Sequence, residues 1–182
     1  MDPSQITNII ILIILVIFSG IFSCSETAFL SANKIKLRNL AQEGNKRAIL
    51  VEKLLDNSDQ LYSAILVGNN IVNIGASSLT TATIMAIFGD GASMVAYATG
   101  LMTLLILIFG EITPKSLATK NADSLVLMLS SFVHFVVIIT KPVVYILNII
   151  TGFLIRLFGG DKNDGPSLTE EELKTIVTVG HE

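Results

Sequence analysis

Charged side chains are scarce in this chain of 182 residues, where they make up 15% of the sequence. Soluble domains carry about 25%. Asp, Glu, Lys and Arg are absent from residues 6–25, 61–89 and 91–110. Each of these runs is long enough for a helix that crosses a bilayer, which takes about 20 residues. The composition argues against a soluble domain and predicts an all-α membrane protein with three transmembrane helices, over approximately residues 5–32, 60–88 and 92–112.

Cysteine is nearly absent as well, since Cys24 is the only one. A single cysteine excludes an internal disulfide, and we expect Cys24 to be a small apolar packing residue. The apolar runs also contain no Ser/His pair, no pair of aspartates and no zinc-ligand spacing. An intramembrane enzyme therefore has no support in the sequence, and we expect no catalytic residues.

If the three runs cross a membrane, the segments that flank them lie on its two sides. Basic residues are absent from the segments on one of these sides. Six Lys and Arg residues follow the first run, between positions 34 and 53, and Lys115 and Lys120 follow the third. The loop between the second and third runs has only Asp90. Because the Lys/Arg-rich side faces the cytoplasm, we predict a multi-pass plasma-membrane protein with its N-terminus outside and its C-terminus in the cytoplasm.

The segment between the first two runs has the pattern of short helices. Residues 34–56 alternate charged and aliphatic side chains and predict two cytoplasmic amphipathic helices that meet at Gly44. The following "DNSDQ" predicts the start of the next membrane helix, with Ser58 or Asp59 as its N-cap.

The last apolar region, residues 124–158, does not have the length of a simple span. As one helix it would extend for about 50 Å, which is too long for one crossing and too short for two. Pro142 lies near its middle and is expected to break it. His134, Lys141 and Asn148 recur at intervals of seven and form a narrow polar stripe. We therefore predict a pair of membrane-hugging or half-inserted helices within residues 122–158, which return the chain to the cytoplasm and complete a transmembrane domain over residues 1–158.

Oxygen-bearing groups interrupt each of the three runs. "SGIFS" and "GNNIVN" place serines and asparagines at a spacing of four, on one helix face. "FGEITPK" ends the third run with a carboxylate, and Pro114 is expected to loosen the helix and free a backbone carbonyl four residues earlier. The predicted metal ligands are Ser19, Ser23, Asn69, Asn70, Asn73, Gly110 and Glu111.

Hydroxyl, amide, carbonyl and carboxylate oxygens are the donors that magnesium, calcium and sodium prefer. A single carboxylate indicates a site that can release its ion. Other interpretations remain open at this point. The serines also fit close helix packing, and the asparagines fit interhelical hydrogen bonding. Glu111 could pair with Lys115 four residues on, and Glu26 is expected to pair with the basic cytoplasmic flank.

Three motifs, "SGIFSCSETAF", "LVGNNIVNI" and "FGEITPKS", resemble in order and spacing the transmembrane domain of the CorC/CNNM (cyclin M) magnesium transporter family. The resemblance extends over nearly the whole chain. It implies three membrane helices, a juxtamembrane belt, a homodimer in the lipid bilayer and an ion site at the predicted ligands. It also implies that residues 159–182 are a hinge and the start of a linker to a cytoplasmic CBS-pair domain.

The function that the resemblance implies is magnesium export by alternating access, with sodium coupling, and hence a sodium ion as a second cation, left open. No nucleic-acid partner is expected. The main alternative is a magnesium-sensing or scaffold protein that binds the ion without moving it. Flux measurements in reconstituted vesicles would distinguish the two.

Overall fold

The computed structural model of the protein describes residues 3–89 and 91–158, and within these residues it contains helices and no strand. The chain divides into two compact units, Met1–Val144 and Tyr145–Glu182. All contacts given below lie within the first unit. The predicted hinge at 159–182 and the predicted outer position of Asp90 fall outside the described residues.

Among the described residues, four helices are long and apolar enough to cross a membrane, by length and composition. They are α1 (Pro3–Ser31), α4 (Ser58–Phe88), a rod made of α5 (Ala92–Leu105), a π-helical segment (Ile106–Ile112) and α6 (Thr113–Lys120), and finally α7 (Ala122–Leu157). Three such helices were predicted, and the fourth is α7. Large apolar side chains cover the outer faces of these helices, as expected for surfaces that contact lipid.

The prediction of two helices within residues 122–158 is wrong, because α7 is continuous with Pro142 inside it. Proline removes one backbone donor, so only the bond to the Ile138 carbonyl is lost. Twenty residues precede Pro142 in α7 and fifteen follow it. Where water is scarce, the remaining backbone groups can be satisfied only within the helix. The helix therefore tolerates the proline.

Two short helices connect α1 to α4, as predicted: α2 (Lys34–Gln42) and α3 (Lys46–Leu55). The side chains of Asn33 and Asn45 each accept two backbone N–H groups at the start of these helices. Gly44 joins them with φ +86°, a conformation that other residues rarely adopt.

The predicted N-caps Ser58 and Asp59 are wrong, because α4 begins at Ser58, whereas a Ser58 cap requires a start at residue 59 and an Asp59 cap a start at residue 60. Asn57 occupies the cap position and makes no side-chain cap bond. Asp56 is the C-cap of α3, so only Asp56 and Asn57 separate the two helices, which leaves no room for a separate capping turn.

The core lies toward the Lys/Arg-rich end of the helices. Phe29, Leu37, Val51, Leu61 and Ile65 are almost completely buried there, on α1, α2, α3 and α4. α1 packs against α4, the π-helical segment and α6, so two of the other long helices lie against it.

Close packing of α1 on α4 depends on Gly68. A Cβ at this position would lie 2.5 Å from the Phe22 ring. The Phe22 ring in turn contacts that of Phe132 on α7, with centroids 5.3 Å apart. One aromatic side chain therefore links three helices beside the predicted ion ligands.

The first half of α7 contacts residues from the Lys/Arg-rich side at two separate places. Near its start, the Asp123 carboxylate accepts hydrogen bonds from the Asn33 N–H and the Lys36 ammonium, each at 2.9 Å. About 27 Å further along, Lys141 borders a cavity shared with Lys53. Both places involve residues of the basic segment between α1 and α4. The position of α7 along the membrane boundary stays a prediction.

Cysteine labelling tests this topology. In a Cys24→Ser background, we expect Lys46→Cys and Asp164→Cys to react with an impermeant maleimide from the cytoplasmic side, and Gly91→Cys from the outside. Three crossings place Gly91 and residue 164 on opposite sides. If α7 crosses as a fourth span, Asp164→Cys reacts from the same side as Gly91→Cys, and the belt assignment is wrong.

Candidate cation site

Two serines of α1 lie at the junction of α1 with the other long helices. Ser19 is 1% exposed and Ser23 is 0% exposed, one helical turn apart. Both stand in the charge-free run of residues 6–25. Ser25, also 0% exposed, differs from them because its hydroxyl donates to the Ile21 carbonyl of the same helix at 2.7 Å.

The Ser19 hydroxyl brings together oxygens from three elements. Its Oγ lies 3.4 Å from Asn69 Oδ1 on α4 and 3.4 Å from the Gly110 carbonyl oxygen on the π-helical segment. A hydroxyl has one hydrogen to donate, so at any moment one of these two acceptors is left without it. Both distances also exceed the usual O–H···O range of about 2.7–2.8 Å. The result is a loose group of oxygens with more acceptors than donors.

Two further buried oxygens add to this excess of hydrogen-bond acceptors over donors. Ser23 Oγ and Asn73 Oδ1 are buried and have no hydrogen-bond partner among the described residues. Asn73 is tied to the group through its amide nitrogen, which donates to Asn69 Oδ1 at 3.5 Å. Leaving a buried polar atom unpaired costs about 1–3 kcal/mol. A cation that accepts lone pairs from these oxygens would offset that cost.

The π-helical segment Ile106–Ile112 changes the backbone bonding beside the site. Here the Thr113 N–H bonds to the Ile108 carbonyl, five residues back rather than four. Pro114 has no N–H. It therefore cannot donate a hydrogen bond to the Gly110 carbonyl, four residues back as in an α-helix, or to the Phe109 carbonyl, five residues back as in a π-helix. The predicted loosening of this helix takes the form of a π-helical turn.

Two glycines permit the close approach of α1 to this turn. A Cβ at Gly110 would lie 2.6 Å from Ser19 Oγ. A Cβ at Gly20 would lie 3.1 Å from the Phe109 carbonyl oxygen and 3.2 Å from the Pro114 ring. Gly110 was predicted as a ligand, whereas Gly20 was not singled out. The only sequence signal for Gly20 is its position between the two predicted serines.

Glu111 follows Gly110 and is half-buried. Its carboxylate has no hydrogen bond or ion pair within residues 3–89 and 91–158. The alternative pairing with Lys115 is not found. Lys115, which lies on the Lys/Arg-rich side, pairs with Glu26 of α1 at 3.2 Å, so the expectation that Glu26 pairs with the basic flank is confirmed. Packing of α6 on α1 brings these two side chains together from distant parts of the sequence.

The structure thus brings Ser19, Asn69, Asn73 and Gly110 into one hydrogen-bonded group. Ser23 is buried one turn away on α1. Asn70 is exposed and makes no bond to the group in the described structure. Of the alternative asparagines, Asn69 and Asn73 are therefore the pair at the site. Among the described residues no three His, Cys, Asp or Glu side chains come together, so the oxygens at this junction are mainly uncharged.

Comparison with known proteins places this arrangement in context. Residues 10–182 match the family profile described as the cyclin M transmembrane N-terminal domain. The chain is 41% identical over 177 residues to a UPF0053 protein of Haemophilus influenzae, which covers 97% of this chain and 42% of that protein. It is 44% identical over 162 residues to the UPF0053 inner membrane protein YfjD of Escherichia coli, with coverage of 87% and 37%.

A more distant relative comes from a plant. A chloroplastic DUF21 domain-containing protein of Arabidopsis thaliana is 32% identical over 168 residues, which are 92% of this chain and 25% of that protein. The chain therefore spans about two fifths of the length of the bacterial relatives named above and a quarter of the plant protein.

Proposed function

Because the chain belongs to the cyclin M (CNNM) family of transmembrane domains, we propose that it exports magnesium across the plasma membrane by alternating access. Membership confirms the resemblance that the three sequence motifs indicated. The protein is a multi-pass membrane domain, with apolar helices that contain few charges. The ion, its direction of movement and the orientation of the chain are part of the proposal.

The observation that carries the proposal is the excess of buried oxygen acceptors where three helices meet. Ser23 Oγ and Asn73 Oδ1 have no partner in the described structure, and Ser19 Oγ lies between two acceptors. Glu111, whose side chain is half-buried, follows Gly110 directly in the chain. Polar groups inside a membrane domain are costly and mark ion pathways. Hard oxygen donors of this kind suit magnesium.

The distances also suggest how ion binding and conformation are coupled. Magnesium holds its ligands at about 2.0–2.1 Å in an octahedron, so neighbouring ligand oxygens lie about 2.9 Å apart. Ser19 Oγ lies 3.4 Å from both Asn69 Oδ1 and the Gly110 oxygen. Direct ligation would draw α1, α4 and the π-helical segment together. Loss of the ion would let them separate, and the two states could open the site to different sides.

A matched pair of serine variants tests this function. Ser23 and Ser25 are both 0% exposed, but only Ser25 has a hydrogen-bond partner. In liposomes that contain the purified protein and a magnesium-sensitive dye, we expect Ser23→Ala to slow magnesium flux about tenfold or more. Thermal stability should not fall, because the lost oxygen is unpaired in the fold. Ser25→Ala should keep its flux.

The same vesicles separate the rival functions. Magnesium binding without flux would support a sensor or scaffold instead of a transporter. Flux that requires an opposing sodium gradient would establish sodium coupling, and flux that ignores the gradient would exclude it. Equal flux in Ser23→Ala and the parent protein would remove Ser23 from the site.

We further propose that the domain acts as a homodimer. We also propose that a cytoplasmic CBS-pair domain follows it in the chain. Ala96, Gly100 and Thr103 form an exposed row of small residues on α5, which suits close packing against a second membrane helix. Asn70 is exposed on α4, and a partner copy would remove its amide from lipid. Native mass measurement in mild detergent should give twice the monomer mass of 19.6 kDa. A monomer alone would contradict the dimer.

A further inference from the structure

A second polar cavity lies away from the cation site, where α7 passes α3 and the start of α4. Its volume is about 220 Å³. The polar side chains around it are Lys53, Asn57, Gln60, His134 and Lys141. His134 and Lys141 belong to the polar stripe that the sequence places on α7. The cation site does not use this stripe.

The polar groups of this cavity are predominantly donors, and they are unused. No carboxylate lines the cavity. Lys53, His134 and Lys141 have no ion pair or hydrogen bond within the described part of the chain. By contrast, Lys36 and Lys115 are paired with carboxylates in the same unit. Two lysines and a histidine thus line one cavity without a counter-ion among its lining residues, a combination that suits an anion.

The rest of the cavity wall is aliphatic, with Leu61 and Val137 among its residues. The opposite side of α7 borders an apolar groove that contains Phe18, Phe22 and Phe135. Helix α7 therefore separates a polar space from an apolar one, as a helix at the boundary between lipid and water does. An occupant of the polar cavity would have its anionic group beside the two lysines and apolar chains within reach.

We propose that this cavity binds the phosphate headgroup of an acidic phospholipid and that the lipid holds α7 against α3 and α4. Basic pockets between membrane helices on the cytoplasmic side suit anionic headgroups. The phosphate would accept hydrogen bonds from Lys53 and Lys141, and His134 would donate a further one. The proposal does not depend on the cation that the domain carries.

Native mass spectrometry of the purified protein tests this site with two probes, phosphatidylglycerol and phosphatidylcholine. We expect phosphatidylglycerol to bind at least about tenfold more tightly, because each basic group near the phosphate adds to affinity. The double variant Lys53→Gln/Lys141→Gln should lose about tenfold of that affinity. The control Lys46→Gln/Lys120→Gln removes the same charge from exposed positions outside the cavity and should stay within about twofold of the parent.

Three results would overturn the proposal: equal affinity for the two lipids, no loss in Lys53→Gln/Lys141→Gln, or an equal loss in the control. Inorganic phosphate serves as a further probe, and full competition by it at equal concentration would indicate a soluble phosphate ligand instead of a lipid. If the double variant does not fold, His134→Gln replaces it. This change keeps the lysines and should weaken phosphatidylglycerol about threefold, whereas unchanged affinity would count against the site.

Discussion

Replacing Glu111 with glutamine is expected to weaken magnesium binding by about 100-fold or more. Glutamine keeps the shape of the side chain and removes its charge. Removing one member of a buried charge pair costs about 3–5 kcal/mol, and each 1.4 kcal/mol is a factor of ten in affinity. Calorimetry on the purified protein measures the change directly. Magnesium should raise the melting temperature of the parent protein by mass action, and this rise should disappear in Glu111→Gln.

The fold itself should tolerate this substitution. Glu111 has no polar partner in the described structure apart from the proposed ion, and a carboxylate at membrane depth costs up to about 2.5–3.5 kcal/mol. Without magnesium, the melting temperature of Glu111→Gln should therefore be equal to that of the parent or higher. A lower value would mean that Glu111 has a structural partner.

Glu26→Gln is the matched control for Glu111→Gln, because it neutralises another half-buried carboxylate at the same end of the helices. It breaks the ion pair with Lys115, and pairs that reach solvent contribute only about 0–1 kcal/mol. We expect magnesium affinity within about threefold of the parent for both Glu26→Gln and Lys115→Met. A loss confined to these two variants would place the cation at the ion pair instead of at Glu111.

The main helices could be predicted because the cause of each helix lies in its own stretch of sequence. Uninterrupted apolar runs require backbone groups to bond within a helix, and this condition predicted α1, α4 and α5. The residues of the site could also be predicted by type, since oxygen side chains within apolar runs have few roles. The sequence did not decide which of Asn69, Asn70 and Asn73 are at the site. The structure decides, because Asn69 and Asn73 lie on the face of α4 that packs on α1, and the adjacent Asn70 does not.

Other features depended on contacts that no local pattern contains. Lys115 has Glu111 as its sequence neighbour and Glu26 as its partner, because the packing of α6 on α1 decides which carboxylate is near. Gly20 matters because a carbonyl and a proline ring from another helix lie against it. Pro142 does not break α7, since the cost of one missing hydrogen bond is smaller than the cost of opening an apolar helix.

Gly110→Ala is expected to close the cation site. The new Cβ would lie 2.6 Å from Ser19 Oγ and 3.1 Å from Ser19 Cβ. Rotation about the Ser19 Cα–Cβ bond can move Oγ away but leaves Cβ in place, so α1 and the π-helical segment must move apart by a few tenths of an ångström. That movement separates the Ser19 hydroxyl from the Gly110 carbonyl. We expect magnesium affinity to fall about 100-fold and the free energy of unfolding to drop by about 1–3 kcal/mol, as for other overpacked sites.

Gly75→Ala and a double variant distinguish an effect of the added methyl group from the loss of a ligand. A Cβ at Gly75 of α4 would meet only Leu15 Cδ1, at 4.0 Å, so Gly75→Ala should keep its magnesium affinity and gain up to about 1 kcal/mol of stability from helix propensity. Adding Ser19→Gly to Gly110→Ala removes the atoms that the new methyl group meets. The double variant should recover much of the lost stability but no magnesium binding, because a ligand oxygen is gone. Recovery of full binding would show that Ser19 only packs against Gly110, and normal affinity in Gly110→Ala alone would place the cation away from the junction of α1 with the π-helical turn.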